Sequence, residues 1–401
     1  MDSIFTSLEP DHYWIQVTGH FQASLTEYPA PFSLKTKKFS TMHEKFYKLT
    51  ATELIELDFT KNPARYTPIQ LKLFQPFILQ SPSKPIFGFK LGSKDFFVEN
   101  PSEFDDLVTF FRKFCVLDSF DEDFVRIKTL GSGSSSTVYL VEDLQARKPF
   151  AAKSLTKNFL LSCRSGLRNL AQEIEILFLL DHPSIAQLYN VYETNDEVVL
   201  VMEYLPNGDL YRRMMKKKSF SVETSSAFAK NLLEVLEYLH SKNIVHRDLK
   251  PENLMMASED DLSFKVIDFG LAYKSSEPQS HKCGSPGYLA PEILSKPHYT
   301  HKIDIFSAGV IVYTLLTGAH PFNGSSPQKV LNANMKCKFL TSGLKGQSKD
   351  FVLLMLEKNP KIRPESGQLL EHPWVFPKRR ESVSVNLAGC STLAVSLVLG
   401  N

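Results

Sequence analysis

The segment His246-Arg247-Asp248-Leu249-Lys250-Pro251-Glu252-Asn253 places a carboxylate, an ammonium group and a carboxamide within one short stretch. Further along, Asp268-Phe269-Gly270 adds a second carboxylate on a glycine-flanked turn. Asp248 is suited to accept a hydroxyl proton and Lys250 to meet charge on a phosphate, while Asn253 and Asp268 are suited to hold a metal ion. Phosphoryl transfer needs these groups, because its catalysis is mostly positioning and charge neutralisation around Mg²⁺. The order and spacing of the two segments make the signal strong where either alone is weak.

Upstream, Gly131-Ser132-Gly133-Ser134-Ser135-Ser136-Thr137-Val138 follows a strand pattern at 124–130 and precedes another at Tyr139-Leu140-Val141. Glycines let backbone N–H groups close over phosphates without Cβ clashes. Ser136 stands where the G-x-G-x-x-G pattern has its third glycine. Lys153, in the apolar run Phe150-Ala151-Ala152-Lys153, needs a partner, since an unpaired buried ammonium is costly. The helical pattern at 167–180 has Leu170, Ile174 and Leu177 on one face and offers Glu173.

Together these motifs make residues 124–375 resemble a eukaryotic protein kinase domain. The resemblance implies a bilobal α+β fold that uses ATP and Mg²⁺. It makes Asp248 the catalytic base, Lys250 the neutraliser of the transferring phosphate, and Asn253 and Asp268 the Mg²⁺ ligands. Gly131, Ser132, Gly133 and Val138 belong to the phosphate lid. Ala151 lies by the nucleotide, and the Lys153–Glu173 pair orients the lysine toward the phosphates. Met202 takes the gatekeeper position, with the backbone of Glu203 and Leu205 pairing with adenine. Glu292, in Ala290-Pro291-Glu292, would pair with Arg363, and Asp304 would anchor the catalytic loop. Phe306 replaces a usual tryptophan, and His372-Pro373-Trp374 matches the domain's usual end.

Lys250 favours the serine/threonine class over tyrosine kinases, and Cys283-Gly284-Ser285-Pro286-Gly287-Tyr288 resembles its substrate-docking loop, with Ser285 bonding Asp248 and Lys250. Asp209 matches a position used for ribose or for an arginine three residues before the target. Glu252 matches a second arginine-binding acid, by charge-assisted pairing. Thr314 replaces the acid that selects arginine at minus two, so the expected preference is R-x-x-S/T. Arg379-Arg380-Glu381-Ser382 makes Ser382 a candidate autophosphorylation site. Many relatives carry a phosphorylatable threonine two residues before Cys283, whose phosphate pairs with the equivalent of Arg247. Here that residue is His281. Either Ser280 substitutes, or the loop needs no phosphate. A pseudokinase scaffold is the competing class, but Lys153, Asp248, Asn253 and Asp268 are all present.

The rest of the chain must position and deploy this unit. With 401 residues, two or three domains are expected. Residues 1–118 read as strands closed by an amphipathic helix. Lys45-Phe46-Tyr47-Lys48-Leu49 and Glu53-Leu54-Ile55-Glu56-Leu57 suit paired strands. Phe104, Leu107, Val108, Phe111 and Phe114 follow at helical spacing, with Ser102 as the expected cap. The pattern resembles a pleckstrin-homology domain, a small β-barrel closed by a C-terminal helix. It departs from that family in lacking the usual helix tryptophan and in its long first connection. Lys35, Lys37, Lys38, Lys45 and Lys48 are candidate phosphoinositide contacts, the alternatives being a protein partner or a solvated basic loop. Residues 119–123 read as a linker and 376–401 as a tail.

The domain order resembles pleckstrin-homology kinases of the AGC group, whereas the catalytic domain looks closer to calcium/calmodulin-dependent kinases. No EF-hand loop supports intrinsic calcium control. A formal charge of +2 argues for no nucleic-acid partner. Five dispersed cysteines suit a reducing compartment rather than a disulfide framework. The start of the chain does not read as a signal peptide, and the apolar stretch at 383–399 is short and interrupted for a bilayer span. The expectation is a cytoplasmic protein, with recruitment to membrane surfaces through its first domain.

Overall fold

The computed structural model describes residues 3–5, 15–16, 32–38, 41–49, 53–57, 63–69, 72–80, 85–92, 94–133, 135–274 and 280–376; at 15–16, 32–38, 41–46, 53 and 64–68 it describes the backbone alone. Period-two segments build the first quarter of the chain. They are β1 (Ile15–Gln16), β2 (Phe32–Lys38), β3 (Thr41–Leu49), β4 (Glu53–Leu57), β5 (Pro63–Pro68), β6 (Phe74–Leu79), β7 (Ile86–Leu91) and β8 (Lys94–Val98). They form one antiparallel sheet in the order β1-β5-β4-β3-β2-β8-β7-β6. Leu49 pairs with Leu54 across β3 and β4, and both are fully buried.

The expected closed barrel is not seen, because the ends of this order do not pair among the described residues. Helix α1 (Pro101–Phe114) packs on β6, β7 and β8. Its Phe111 ring lies 4.9 Å from both Phe74 and Phe89, so aromatic packing covers the apolar face. The α1 cap is Asn100 rather than the expected Ser102. Asn100 Oδ1 accepts the Ser102 N–H at 3.0 Å. Pro101 is the reason: its preset φ and missing N–H suit the first helical position, which puts the cap at Asn100, two residues before Ser102.

The stretch expected as a linker is built into the fold. Strand β9 (Val116–Leu117) precedes α2 (Phe120–Asp123), whose Phe120 is buried. A second sheet follows: β10 (Phe124–Ser132), β11 (Thr137–Asp143), β12 (Pro149–Thr156), β13 (Leu188–Glu193) and β14 (Glu197–Glu203). Its order is β10-β11-β12-β14-β13-β9. β9 pairs in parallel with β13 and so covers what would otherwise be an open edge. One apolar cluster runs from Phe74 and Phe111 through Phe120 and Phe124 to Tyr192 and Val199. Arg112 and Tyr192 both bond Asp123, and Asn190 donates to the Arg112 carbonyl at 2.9 Å.

Between β12 and β13 lie α3 (Lys157–Ser162) and α4 (Gly166–Leu179). The remainder is mainly helical: α5 (Leu210–Lys216), α6 (Val222–Ser241), α7 (Pro291–Ser295), α8 (Lys302–Thr317), α9 (Pro327–Lys336), α10 (Gly346–Met355) and α11 (Ser366–Leu370). Two short ladders interrupt it, β15 (Ile244–Val245) with β18 (Tyr273–Lys274) and β16 (Leu254–Met256) with β17 (Phe264–Val266). Helix α8 packs on α6 and is apolar almost all round, the pattern of a core helix. The result is a sheet lobe and a helical lobe with a cleft between them.

Candidate active site

Lys153 sits on β12, opposite Val138 on one side and Leu200 on the other. The helical period of α4 turns Leu170, Ile174 and Leu177 inward, and Glu173 is buried with them. Lys153 Nζ lies 2.6 Å from Glu173 Oε1 and 3.2 Å from Asp268 Oδ1. Burial disfavours the charge on Lys153, but the Glu173 and Asp268 carboxylates outweigh it and raise its pKa. Burial pushes the Glu173 carboxyl up, with Lys153 opposing. At Asp268 burial loses to Lys153 and to the Gly270 N–H, and the carboxyl is held below its ordinary value.

The catalytic loop follows β15. Asp248 Oδ2 accepts from Lys250 Nζ at 2.7 Å, and Asp248 Oδ1 accepts from Ser285 Oγ at 2.7 Å. Lys250 also donates to Ser285 Oγ at 2.9 Å, closing a triangle. Ser285 thus stands where a substrate hydroxyl would approach the carboxylate. Asn253 Nδ2 donates to the Asp248 carbonyl at 2.9 Å, which leaves Oδ1 as the atom that could face a metal ion. Beneath the loop, the buried Asp304 carboxylate accepts the backbone N–H groups of His246 and Arg247, both at 2.9 Å. It also lies 3.1 Å from His240 Nε2.

Between the lobes is a cleft of about 370 Å³, walled by Gly131, Val138, Ala151, Met202, Leu205 and Asp209. Lys153, Glu203, Asn253 and Asp268 also line it. Its apolar walls suit a purine ring, and its lysine suits phosphate. Asp268 and Asn253 would supply two oxygen ligands, a set that fits Mg²⁺, which takes few protein ligands and completes its shell from phosphates and water. Among the described residues no group of three or more His, Cys, Asp or Glu could hold a metal by itself.

A model of the protein kinase domain matches residues 124–375, more than half of the chain. The chain belongs to the protein kinase family. Its relatives include the "Probable serine/threonine-protein kinase 2" of Plasmodium falciparum, 37% identical over 285 residues, which are 69% of this chain and 55% of that protein. Myosin light chain kinase A of Dictyostelium discoideum is 34% identical over 61% of this chain and 85% of its own length. Sperm motility kinase 2B of Mus musculus is 34% identical over 65% of this chain and 53% of that protein. The chain thus spans little more than half the length of the first and third of these relatives. The catalytic unit is of the serine/threonine kind.

Other expected residues of the kinase fall as follows. Glu292 and Arg363 are both buried and pair bidentately, at 2.6 and 3.1 Å. Gly133 donates its N–H to the Ser136 carbonyl at 2.8 Å, and Ser132 pairs with Thr137. Asp209 caps α5, with Oδ1 accepting the Arg212 N–H at 2.7 Å. Glu252 is exposed. Ser280 is exposed, while Ser382 lies outside the described residues. The side chains of Lys35, Lys37, Lys38 and Lys45 also lie outside them; Lys48 is half-buried.

Sequence reasoning missed what surrounds Arg247. Its Nε donates to the Leu271 carbonyl at 2.6 Å, its Nη1 to Tyr299 Oη at 3.4 Å, and its guanidinium lies 5.2 Å from the Tyr273 ring centroid. Tyr299 in turn donates to the His281 carbonyl. Gly284 sits close by at φ +110°, where a Cβ would stand 2.6 Å from the Arg247 carbonyl oxygen. Tyr299 lies outside every motif, so no spacing signal marked it.

Proposed function

We propose that the kinase transfers the γ-phosphate of ATP to serine or threonine in proteins that carry arginine three residues before the target. The observation that carries this is the Asp248–Lys250–Ser285 triangle beside the Lys153–Glu173–Asp268 chain. Asp248 would orient the acceptor hydroxyl and take its proton, and Lys250 would meet charge on the phosphoryl oxygens. Lys153, held by Glu173, would grip the α- and β-phosphates. Mg²⁺ held by Asp268 and Asn253 would neutralise charge on the phosphates.

Glu252 supports the arginine preference, because it is exposed and near enough to Tyr288 to add to the burial that raises that phenol's pKa. Asp209 contributes less directly, since its carboxylate already caps α5. Transfer of labelled phosphate to an R-x-x-S peptide, beside its A-x-x-S counterpart, tests the reading. Asp248→Asn should lose about 10²–10⁴-fold in rate. Equal signal from the Asp248→Asn variant and the wild type would remove the catalytic assignment, and equal rates on the two peptides would remove the arginine preference.

The first 118 residues are proposed as a pleckstrin-homology-like unit that recruits the kinase to phosphoinositide surfaces or to a protein partner. Support comes from the strand order β5-β4-β3-β2-β8-β7-β6 followed by one packed helix. Sedimentation of the full chain with phosphoinositide vesicles, against phosphatidylcholine vesicles, tests the lipid arm. A cytoplasmic setting agrees with the free thiols of Cys115, Cys163, Cys283 and Cys337. No described helix is long and apolar enough to cross a membrane.

A further inference from the structure

A buried carboxylate needs donors, and Glu193 at the end of β13 draws them from two distant parts of the chain. It is 6% exposed. Its Oε1 lies 2.8 Å from Nζ of Lys157, the first residue of α3, and accepts the Ile4 N–H at 2.8 Å. Its Oε2 accepts the Ser3 hydroxyl at 2.6 Å. The Phe5 N–H donates back to Ser3 Oγ at 3.2 Å, so the three residues form a tight turn with its polar side on Glu193.

The apolar side of that turn is buried. Phe5 is 1% exposed and belongs to the cluster that holds Leu155 of β12, Leu160 of α3, and Leu170 and Ile174 of α4. Ile4 packs against the same cluster. A phenylalanine in such a core fills a volume that neighbours close only partly when it is removed. Helix α4 shares that core through Leu170 and Ile174, and its Glu173 must reach Lys153 at 2.6 Å. Displacement of a positioning group by an ångström costs about 10²-fold in rate.

We propose that Ser3-Ile4-Phe5 is a built-in positioning ligand of the sheet lobe: Glu193 and Lys157 seat it, Phe5 supports α4, and the Lys153–Glu173 pair holds its geometry only with the segment seated. These residues touch no reacting atom, so their role is positioning. The seat is also sensitive to charge. Ser3 faces a carboxylate, and a negative group at this position would be repelled by Glu193 and released from the lobe. The inference rests on the kinase reading of the site.

Two full-length variants test it. Phe5→Ala empties the apolar seat, whereas Ser3→Asp leaves the core side chain in place and adds repulsion against Glu193. Both should lower kcat by about tenfold or more, with KM for the peptide substrate changed less than about twofold. A synthetic peptide of sequence Ser-Ile-Phe-Thr-Ser, added in excess, should restore kcat in both, and the same peptide with alanine for phenylalanine should not. The restoration separates positioning from a folding defect. Wild-type kcat in either variant, or a loss that the peptide leaves in place, overturns the proposal. Rates are read as ratios to wild type, so failure of the kinase reading shows separately as an inactive wild type.

Discussion

The Asp304 carboxylate accepts the backbone N–H of Arg247 at 2.9 Å, at a residue held in the left-handed region with φ +68°. That conformation is uncommon for a side chain with a Cβ and persists where surrounding bonds over-determine it. The second Asp304 bond, to the His246 N–H, fixes the preceding peptide. The pair therefore sets where Asp248 points.

Asp304 should make stability depend on pH. Burial alone would raise its pKa, but the His240 hydrogen bond and charge and the His246 contacts outweigh it and lower the value. A folded-state pKa below the unfolded value of about 3.9 means that ionised Asp304 contributes stability above roughly pH 4. That contribution is lost as pH falls through the folded value. Asp304→Asn should cost about 2–3 kcal/mol at neutral pH, from lost charged hydrogen bonds, and should flatten the acid limb of stability. Urea unfolding between acid and neutral pH measures both, and an unchanged acid limb would count against the account.

Glu173→Gln keeps the size of the side chain and removes its charge. Lys153 then loses its nearest counter-charge and keeps only Asp268, the residue proposed to hold Mg²⁺. We expect kcat to fall about 10²-fold and KM for ATP to rise. Steady-state kinetics at saturating peptide reads both constants. A variant with only KM altered would show that the pair binds nucleotide without orienting it.

Tyr299 occupies Arg247 from within the chain, linking it to the His281 carbonyl. With its guanidinium so engaged, the loop should stay ordered without phosphate. Enzyme pretreated with phosphatase should keep its activity, and Ser280→Ala should match wild type. Tyr299→Phe should lower kcat/KM by about tenfold, roughly one hydrogen bond's worth of free energy. Activity that collapses on phosphatase treatment would refute the arrangement.

Arg363 and Glu292 form a fully buried bidentate pair. Removing one partner strands the other charge in the core. Glu292→Gln should destabilise the helical lobe by about 3–5 kcal/mol, a melting shift on the order of 10 °C for a domain of this size. Thermal denaturation with the double variant Glu292→Gln, Arg363→Met checks the cause, because replacing both should recover part of the loss.

The catalytic constellation was legible in the sequence because its groups lie in short contiguous motifs whose internal spacing is nearly the spacing in space. Asp248, Lys250 and Asn253 share one loop, and the helical period alone put Glu173 among Leu170, Ile174 and Leu177. The first sheet was legible as strands, since alternation reports which face is buried, but alternation says nothing of which strand ends pair. Closure is therefore not seen among the described residues, and the cap of α1 falls at Asn100, where Pro101 set the boundary.

By itself the sequence determined the reaction class, the candidate residues for it and the element types that carry them, since each follows from side-chain chemistry and local periodicity. Tertiary structure alone decided that Tyr299 engages Arg247, that β9 extends the second sheet beside β13, and that Ser3 and Ile4 bond Glu193. Those partners lie tens to nearly two hundred positions apart. Contacts of that kind leave no period and no spacing to read, because their formation depends on how the lobes pack.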